Sequence, residues 1–246
     1  MKDISLIVTT SIKNNLRMKI VVFILIGVAI ICLAGIILSF SILLIAPAMK
    51  APVPDRSSLN LYLGIIVYSA CLIGVGVNMN AFAFQTMTRE KIRGNIESLL
   101  ATPLEPTHVW IAKSLAVFLP GLLLGECFAL IALLAVNFVY FAPVTGFLIT
   151  PWIAISSFVT VPLIYLCLSL LVHLIGLTGK PATGNIIVQI FLPAFASLMI
   201  NLALRNILDP TSWSFTLINA GVAILAGAII ILLKPRLSKD RIILSG

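Results

Sequence analysis

Long apolar runs alternate along the chain with short polar connections. A transmembrane helix needs about 20 apolar residues, and six runs reach that length: Ile20 to Ala46, Leu61 to Met87, Ile111 to Phe141, Trp152 to Ile175, Ile186 to Leu204 and Ser214 to Leu233. Backbone groups in hydrocarbon must bond within their own segment, so such runs form helices. The pattern predicts an all-α integral membrane protein with six transmembrane helices and a single domain, residues 1–246.

Residues 1–19 have a helical pattern that is amphipathic rather than continuously apolar. Polar residues such as Lys13 and Arg17 take one face, and Asp3 stands where it can cap the start. The apolar positions recur at helical spacing: Ile4, Ile7, Val8, Ile12 and Leu16. Such a helix lies in the membrane interface. It either anchors the chain or also touches a cytoplasmic partner, and the pattern favours the anchor.

The basic residues predict the orientation of the spans. With both termini in the cytoplasm, only Lys50, Arg56 and Arg205 of the sixteen Lys and Arg residues fall outside. Cytoplasmic connections carry an excess of Lys and Arg. We therefore expect a multi-pass protein of the cell membrane with both termini cytoplasmic and with no sizeable domain on either face.

Composition agrees with a membrane protein and excludes several other classes. Hydrophobic residues make up 61% of the chain and charged residues 10%, whereas a soluble domain averages roughly 45–50% and 25%. The net charge of +8 follows from the asymmetry between the two membrane faces, so we expect no nucleic-acid partner. The four cysteines all lie in apolar runs without metal-ligand spacing, and we predict neither a disulfide nor a metal site.

A charged stretch, residues 88–106, separates the second and third runs. From Arg89 to Leu100 the apolar positions form one helical stripe: Ile92, Ile96, Leu99 and Leu100. Arg93 and Glu97 stand four residues apart on the polar side, a spacing that suits an ion pair. Pro103 disfavours helix at the preceding residue. The spacing predicts a short interfacial helix, followed by a rigid turn into the third span.

The order of residues in this stretch resembles the cytoplasmic loop of type-2 ABC transporter permeases. That family has a pattern close to Glu-Arg-x-x-Gly-Thr-x-Glu-x-Leu-Leu-x-Thr-Pro-Leu, followed by a lysine about ten residues later. Lys91 and Asn95 depart from it at single positions. The matching residues are Glu90, Gly94, Glu97, Leu99, Leu100, Thr102, Pro103, Leu104 and Lys113.

The resemblance implies a mechanism and a set of partners. In this family the loop is a coupling helix that seats in a groove of a separate ATP-binding cassette ATPase. Two permeases, identical or homologous, assemble with two ATPases, and the spans rock between inward and outward access. Exporter-type function is expected here. By carry-over the coupling residues are Arg89, Glu90, Gly94, Glu97, Leu99, Leu100, Thr102 and Pro103.

ATP hydrolysis is expected on the partner chain and not on this one. A P-loop needs G-x-x-x-x-G-K-[ST], and the nearest string has Leu174 at its first position and Pro181 at its last. The chain is therefore predicted not to be an enzyme and to hold no cofactor of its own. ATP and Mg²⁺ belong to the ATPase.

Three polar residues inside the runs are candidates for a translocation path. Glu126 lies 16 residues after Trp110, which is about 24 Å along a helix. An acid at that depth is either functional or a protonated group bonded to a neighbouring helix, and the sequence leaves both open. Asn78 and Gln85 share a helix face and either hold helices together or line a cavity, with the first favoured.

Two other classes of function compete with the exporter subunit. A secondary transporter or channel that uses Glu126 without ATP would need repeats and paired intramembrane charges, which the sequence does not display. A membrane-embedded enzyme would need more convergent polar groups. Small residues at Gly74, Gly76, Gly121 and Gly125 predict close helix contacts, and Asn137 is expected to meet water near the outer ends of the spans.

Overall fold

The computed structural model describes residues 2–50, 54–92, 96, 98, 101–102, 104–179 and 181–244. Over these residues the chain is helical, with no strand. Helices α2, α4 and α5 each contain one five-residue π-helical turn. The helices are α1 (Lys2–Leu16), α2 (Lys19–Met49), α3 (Arg56–Ile92), α4 (Pro106–Phe141), α5 (Pro151–Thr178), α6 (Pro181–Leu204), α7 (Trp213–Leu233) and α8 (Lys239–Leu244).

Five of these helices, within the described part of the chain, are long and apolar enough to cross a membrane: α2, α3, α4, α5 and α7. The fifth apolar run lies in α6, whose stretch Gln189–Leu204 forms a shorter apolar helix. The prediction of an all-helical, multi-pass membrane protein is confirmed in this form. The count of six spans stays a prediction, as do the orientation of the termini and the coupling helix.

Helix α3 is the centre of the bundle. It packs against α2, α4, α5 and α6, and about two thirds of its most apolar window is buried. A buried tyrosine, Tyr68, extends its contacts to α7, where the hydroxyl donates to Asn219 Oδ1 and the ring meets Phe215 edge-on at 4.9 Å. In contrast, only 11% of the most apolar window of α2 is buried, as expected of a peripheral helix facing lipid.

Glycines allow α3 and α4 to approach each other closely. A Cβ atom at Gly74 would lie 2.7 Å from Gly125 Cα, and one at Gly125 would lie 2.6 Å from a methyl group of Val75. Gly121 likewise faces the Tyr165 hydroxyl with no room for a side chain. The predicted close contacts are confirmed at Gly74, Gly121 and Gly125. The prediction was wrong for Gly76, which has open space where a Cβ would be.

Asn137 corrects another expectation, because it is fully buried and does not meet water. Its side-chain nitrogen donates to Leu133 O and to Leu148 O, and its oxygen accepts from Leu148 N at 2.7 Å. The side chain therefore satisfies both backbone groups of Leu148 in the loop between α4 and α5. A buried amide with these bonds fixes a loop that would otherwise carry unpaired backbone groups.

Polar side chains cap the starts of three helices at the same end of the bundle. Thr150 accepts from Ile153 N at the start of α5, and Ser212 accepts from Phe215 N at the start of α7. Asp55 accepts from Ser57 N, Ser58 N and the Ser58 hydroxyl before α3. Side-chain oxygens at this position satisfy amide groups that have no partner within the helix.

The Asp55 cap predicts a pH dependence. Its bonds, the Ser58 hydroxyl first, lower the pKa of the Asp55 carboxyl below its ordinary 3.8. A lowered folded-state pKa contributes stability above the unfolded value, and this contribution is lost as pH falls through the folded value. Thermal unfolding in detergent should show wild-type protein more stable than Asp55→Ala at neutral pH, with the difference shrinking below about pH 4. A difference that does not change with pH would exclude a charged cap.

Candidate functional site

The charged stretch begins as a direct continuation of span α3, which remains helical through Arg89 and Glu90 to Ile92. Lys91 is 92% buried, and its Nζ donates to Gly179 O at 2.8 Å. Gly179 follows the last residue of α5, where helix carbonyls have no intrahelical partner and carry partial negative charge. This bond attaches the start of the stretch to the end of α5. Lys91 is one of the two positions that depart from the family pattern.

Ile96 attaches the middle of the stretch to the bundle. It is 3% exposed and belongs to a hydrophobic cluster that we call the end cluster, built from the ends of three spans and from α8. Burial of an isoleucine side chain is worth about 1.5–3 kcal/mol, so the contact holds this residue against the spans. The end cluster comprises Ile96, Trp110, Leu171, Leu174, Leu177, Ile230 and Ile242.

Hydrogen bonds reinforce the packing of α4 on α5 beside the end cluster. Trp110 Nε1 donates to Leu170 O at 2.8 Å, and the Ser169 hydroxyl donates to Ser114 O at 2.8 Å. A tryptophan at the end of a span is typical of a membrane interface. Trp110 lies near the start of α4.

The end of the stretch contacts α8. Lys239 Nζ lies 3.4 Å from Thr102 O, and α4 then starts with Pro106 in its first turn. Proline is favoured there because it has no N–H to leave unpaired. Thr102 is an exposed bend residue. Of the eight predicted coupling residues it is the one whose side chain and backbone are both described.

The other predicted coupling residues are placed only in part. The backbones of Arg89 and Glu90 lie in the last turns of α3, and their side chains are outside the described part of the structure. The remaining five lie outside the described residues: Gly94, Glu97, Leu99, Leu100 and Pro103. Their assignment to a contact with an ATPase stays a prediction.

Helix α1 packs against the start of α4 beside the stretch. Lys113 Nζ donates to the Ser11 hydroxyl at 3.0 Å. The buried side of α1 carries Val8, Ser11 and Asn15, whereas Leu16, predicted on the apolar face, is exposed. The expected helix is confirmed, and its apolar face is only partly turned toward the protein.

A groove of about 500 Å³ separates α1 from the charged stretch. Ile7 and Ser11 of α1 form one wall, and Ile96, Thr102 and Lys113 lie among the residues opposite. The groove makes a concave surface at the same end of the bundle as the end cluster. Described residues of the stretch and of α1 therefore share one concave surface.

Asn78 lies at a junction of three spans and is 1% exposed. Its Nδ2 donates to Val117 O at 2.9 Å and to the Tyr165 hydroxyl at 2.8 Å, and that hydroxyl donates to Val117 O at 2.9 Å. These bonds join α3, α4 and α5 in the interior of the bundle. The geometry matches the interpretation in which Asn78 holds helices together, and its place in a translocation path stays a prediction.

The other two candidate path residues are less closely defined. Glu126 is half-buried on α4, directly after Gly125 at the close contact with α3. Gln85 lies in α3, and its side chain is outside the described part of the structure. Among the described residues, no three His, Cys, Asp or Glu side chains form a group that could hold a metal ion.

The Asn78–Tyr165 bonds predict a measurable interaction energy. Interhelical hydrogen bonds in membranes average about 0.6 kcal/mol and reach about 1.7 kcal/mol. Asn78→Leu and Tyr165→Phe should each destabilise the protein, and the double variant should lose about 1 kcal/mol less than their sum. Equilibrium unfolding in mixed micelles measures this cycle. Strict additivity would show that the two side chains do not interact.

Comparison with protein-family models, with curated proteins and with solved structures finds no match to this chain. The class that the fold defines is therefore the multi-pass, all-helical membrane protein. Its particular function is inferred below from the charged stretch and from the attachment of the described residues of that stretch to the spans.

Proposed function

We propose that this chain is the transmembrane subunit of an ABC exporter. It forms the translocation path and couples to a separate ATPase subunit through the stretch from Arg89 to Leu104. A second copy or homologue completes the path, and two ATPases supply ATP hydrolysis. The observation that carries the proposal is the ordered motif in a loop between two membrane-length helices, together with the attachment of Lys91, Ile96 and Thr102 to the bundle.

Attachment is what the proposed mechanism requires. A push from an ATPase on the stretch would reach α5 through the Lys91–Gly179 bond and would reach α4, α5 and α7 through Ile96. Packed elements respond to a local shift by moving as rigid bodies. The stretch would then move several spans together instead of bending by itself.

The proposal counts α6 as the sixth span. The fifth apolar run, Ile186 to Leu204, has 19 residues, which gives a length of about 28 Å, close to the hydrocarbon thickness of about 30 Å. Six spans place both termini on one side of the cell membrane. The distribution of Lys and Arg then makes that side cytoplasmic, where the stretch can reach an ATPase.

The test is purification of the affinity-tagged chain from its native membrane in mild detergent, followed by reconstitution into lipid discs. We expect a soluble partner with a P-loop to co-purify, and ATP hydrolysis to require that partner. A matched preparation should carry Leu100→Asp, which we expect to reduce the amount of partner recovered. A chain that purifies alone and transports cargo without ATP would contradict the proposal.

Glu126 separates this proposal from an ATP-independent transporter or channel. In the exporter, Glu126→Gln would change cargo movement without removing its dependence on ATP. In a secondary transporter that uses this carboxyl, the same substitution would abolish movement driven by an ion gradient. Transport by the reconstituted complex, measured with ATP and separately with a proton gradient, distinguishes the two.

A further inference from the structure

The last described helix, α8, contacts the charged stretch through Lys239 and Thr102, which lie 137 residues apart in sequence. We propose that α8 is a clasp that holds the stretch against the ends of the spans, and that Ile242 and Lys239 are positioning residues for coupling. This inference rests on the proposed exporter function. It gives a role to α8, which belongs neither to the loop motif nor to the six predicted spans.

Ile242 supplies the first half of the clasp. It is 1% exposed and lies in the end cluster with Ile96 of the stretch and with Leu174 and Leu177 of α5. Helix α8 has six residues, and isolated helices of that length are not stable in water. Contacts with the rest of the protein, among them the packing of Ile242 in the end cluster, therefore hold α8 in place.

Lys239 supplies the second half. Its Nζ reaches Thr102 O, six residues after Ile96. One short helix thus shares a hydrophobic cluster with the stretch at Ile96 and a hydrogen bond with it at Thr102. Attachment at two residues restricts rotation of this part of the stretch as well as its separation from α8, more than attachment at either residue alone would.

The clasp explains how a short loop could drive more than the two spans that it joins. Lys91 ties its start to the end of α5, Ile96 and Ile242 tie its middle to the end cluster, and Lys239 ties its end to α8. Helix α8 follows α7 after a short connection. Movement of the stretch is thereby linked to α7, which is distant in sequence.

The position of the clasp is tested by cross-linking. Ile96→Cys and Ile242→Cys are introduced together into a chain whose four native cysteines are replaced by alanine. A short bismaleimide applied to the assembled complex should join the pair, and Ile96→Cys with Asp240→Cys, on the exposed side of α8, should react less. A failure of the first pair to react more than the second would overturn the clasp.

The role in coupling is tested in the complex with its ATPase. The readout is maleimide labelling of a cysteine in place of the exposed Val144, compared without nucleotide and with ATP and vanadate. Ile242→Asp should keep ATP hydrolysis but reduce the nucleotide-dependent change in labelling about tenfold, because burial of one isoleucine shifts a docking equilibrium by at least that factor. Ile242→Val, which keeps an apolar side chain, should retain the nucleotide-dependent change in labelling, and so should Asp240→Ala.

A second variant guards against misfolding. Lys239 is exposed, so Lys239→Ala should leave the fold intact and still weaken the nucleotide-dependent change. If the Ile242→Asp and Lys239→Ala complexes respond to nucleotide as strongly as the unsubstituted complex does, the clasp is overturned and the exporter function stands. An unsubstituted chain that neither binds an ATPase nor responds to nucleotide overturns both.

Discussion

Glu97→Lys and Leu100→Asp are each expected to uncouple ATP hydrolysis from transport without unfolding the spans. Both positions match the family motif, and both lie outside the residues that the structure describes. A charge reversal or a buried carboxylate at a protein contact costs several kcal/mol. Nucleotide-dependent movement of the spans, measured by labelling a cysteine in place of Val144, should therefore fall at least about a hundredfold, since each 1.4 kcal/mol is tenfold.

Glu105 provides the matched control for the charge reversal. It lies in the same connection and is exposed. It stands at the residue before α4, and its side chain makes no capping hydrogen bond there. Glu105→Lys changes net charge by the same amount as Glu97→Lys and should leave coupling unchanged. Equal losses in the two variants would show that the effect is one of general charge at the membrane face.

Gly74→Leu is expected to prevent stable packing of α3 on α4. A Cβ at residue 74 already lies 2.7 Å from backbone atoms of Gly125, and backbone cannot give way as a flexible side chain can. Overpacking costs about 1–3 kcal/mol in cores that can adjust, and we expect more than this here. Thermal unfolding and size-exclusion chromatography in detergent should show an unstable or aggregated protein.

Gly76 is the matched control two residues further along α3. It has no atom within 4 Å of a Cβ position, so Gly76→Leu should unfold within a few degrees of wild type. Both variants lose the same flexibility and gain the same side chain. If both were equally destabilised, helix propensity or insertion would be responsible rather than the contact with Gly125.

Periodicity predicted much of the fold because a membrane leaves few alternatives. Apolar runs must be helical in lipid, and α2, α4, α5 and α7 each cover the run that predicts them. The residues at which the helices end were harder to predict from periodicity. Helix α3 continues beyond the second run to Ile92, because charged residues at a membrane face can extend a helix into water at no cost in desolvation.

Partners distant in sequence could not be predicted. Asparagine is a polar residue of the kind expected near water. The side chain of Asn137 is nevertheless buried, and it hydrogen-bonds to both backbone groups of Leu148. Ile96 was expected on an amphipathic stripe, but nothing in the pattern indicated that it would share a hydrophobic cluster with Ile242. Spacing along one helix specifies which residues share a face and does not specify what that face meets.

Two tyrosines within the apolar runs are a weak indication, in the sequence alone, of hydrogen bonds between spans. Tyr68 and Tyr165 stand deep within apolar runs, and a buried tyrosine usually finds a hydrogen-bond partner. Their partners are Asn219 and Asn78. Both asparagines are also polar residues within spans. Pairing the polar groups of different spans would have suggested these contacts, although not which pairs form.

The most direct measurement places a photoreactive amino acid at position 97 of the tagged chain in its native membrane. After irradiation, the protein cross-linked to this position is identified by mass spectrometry, with position 105 as the control. The account predicts a protein carrying G-x-x-x-x-G-K-[ST] as the cross-linked partner at position 97. Cross-links to lipid alone, or labelling of position 97 by an impermeant reagent added outside intact cells, would contradict it.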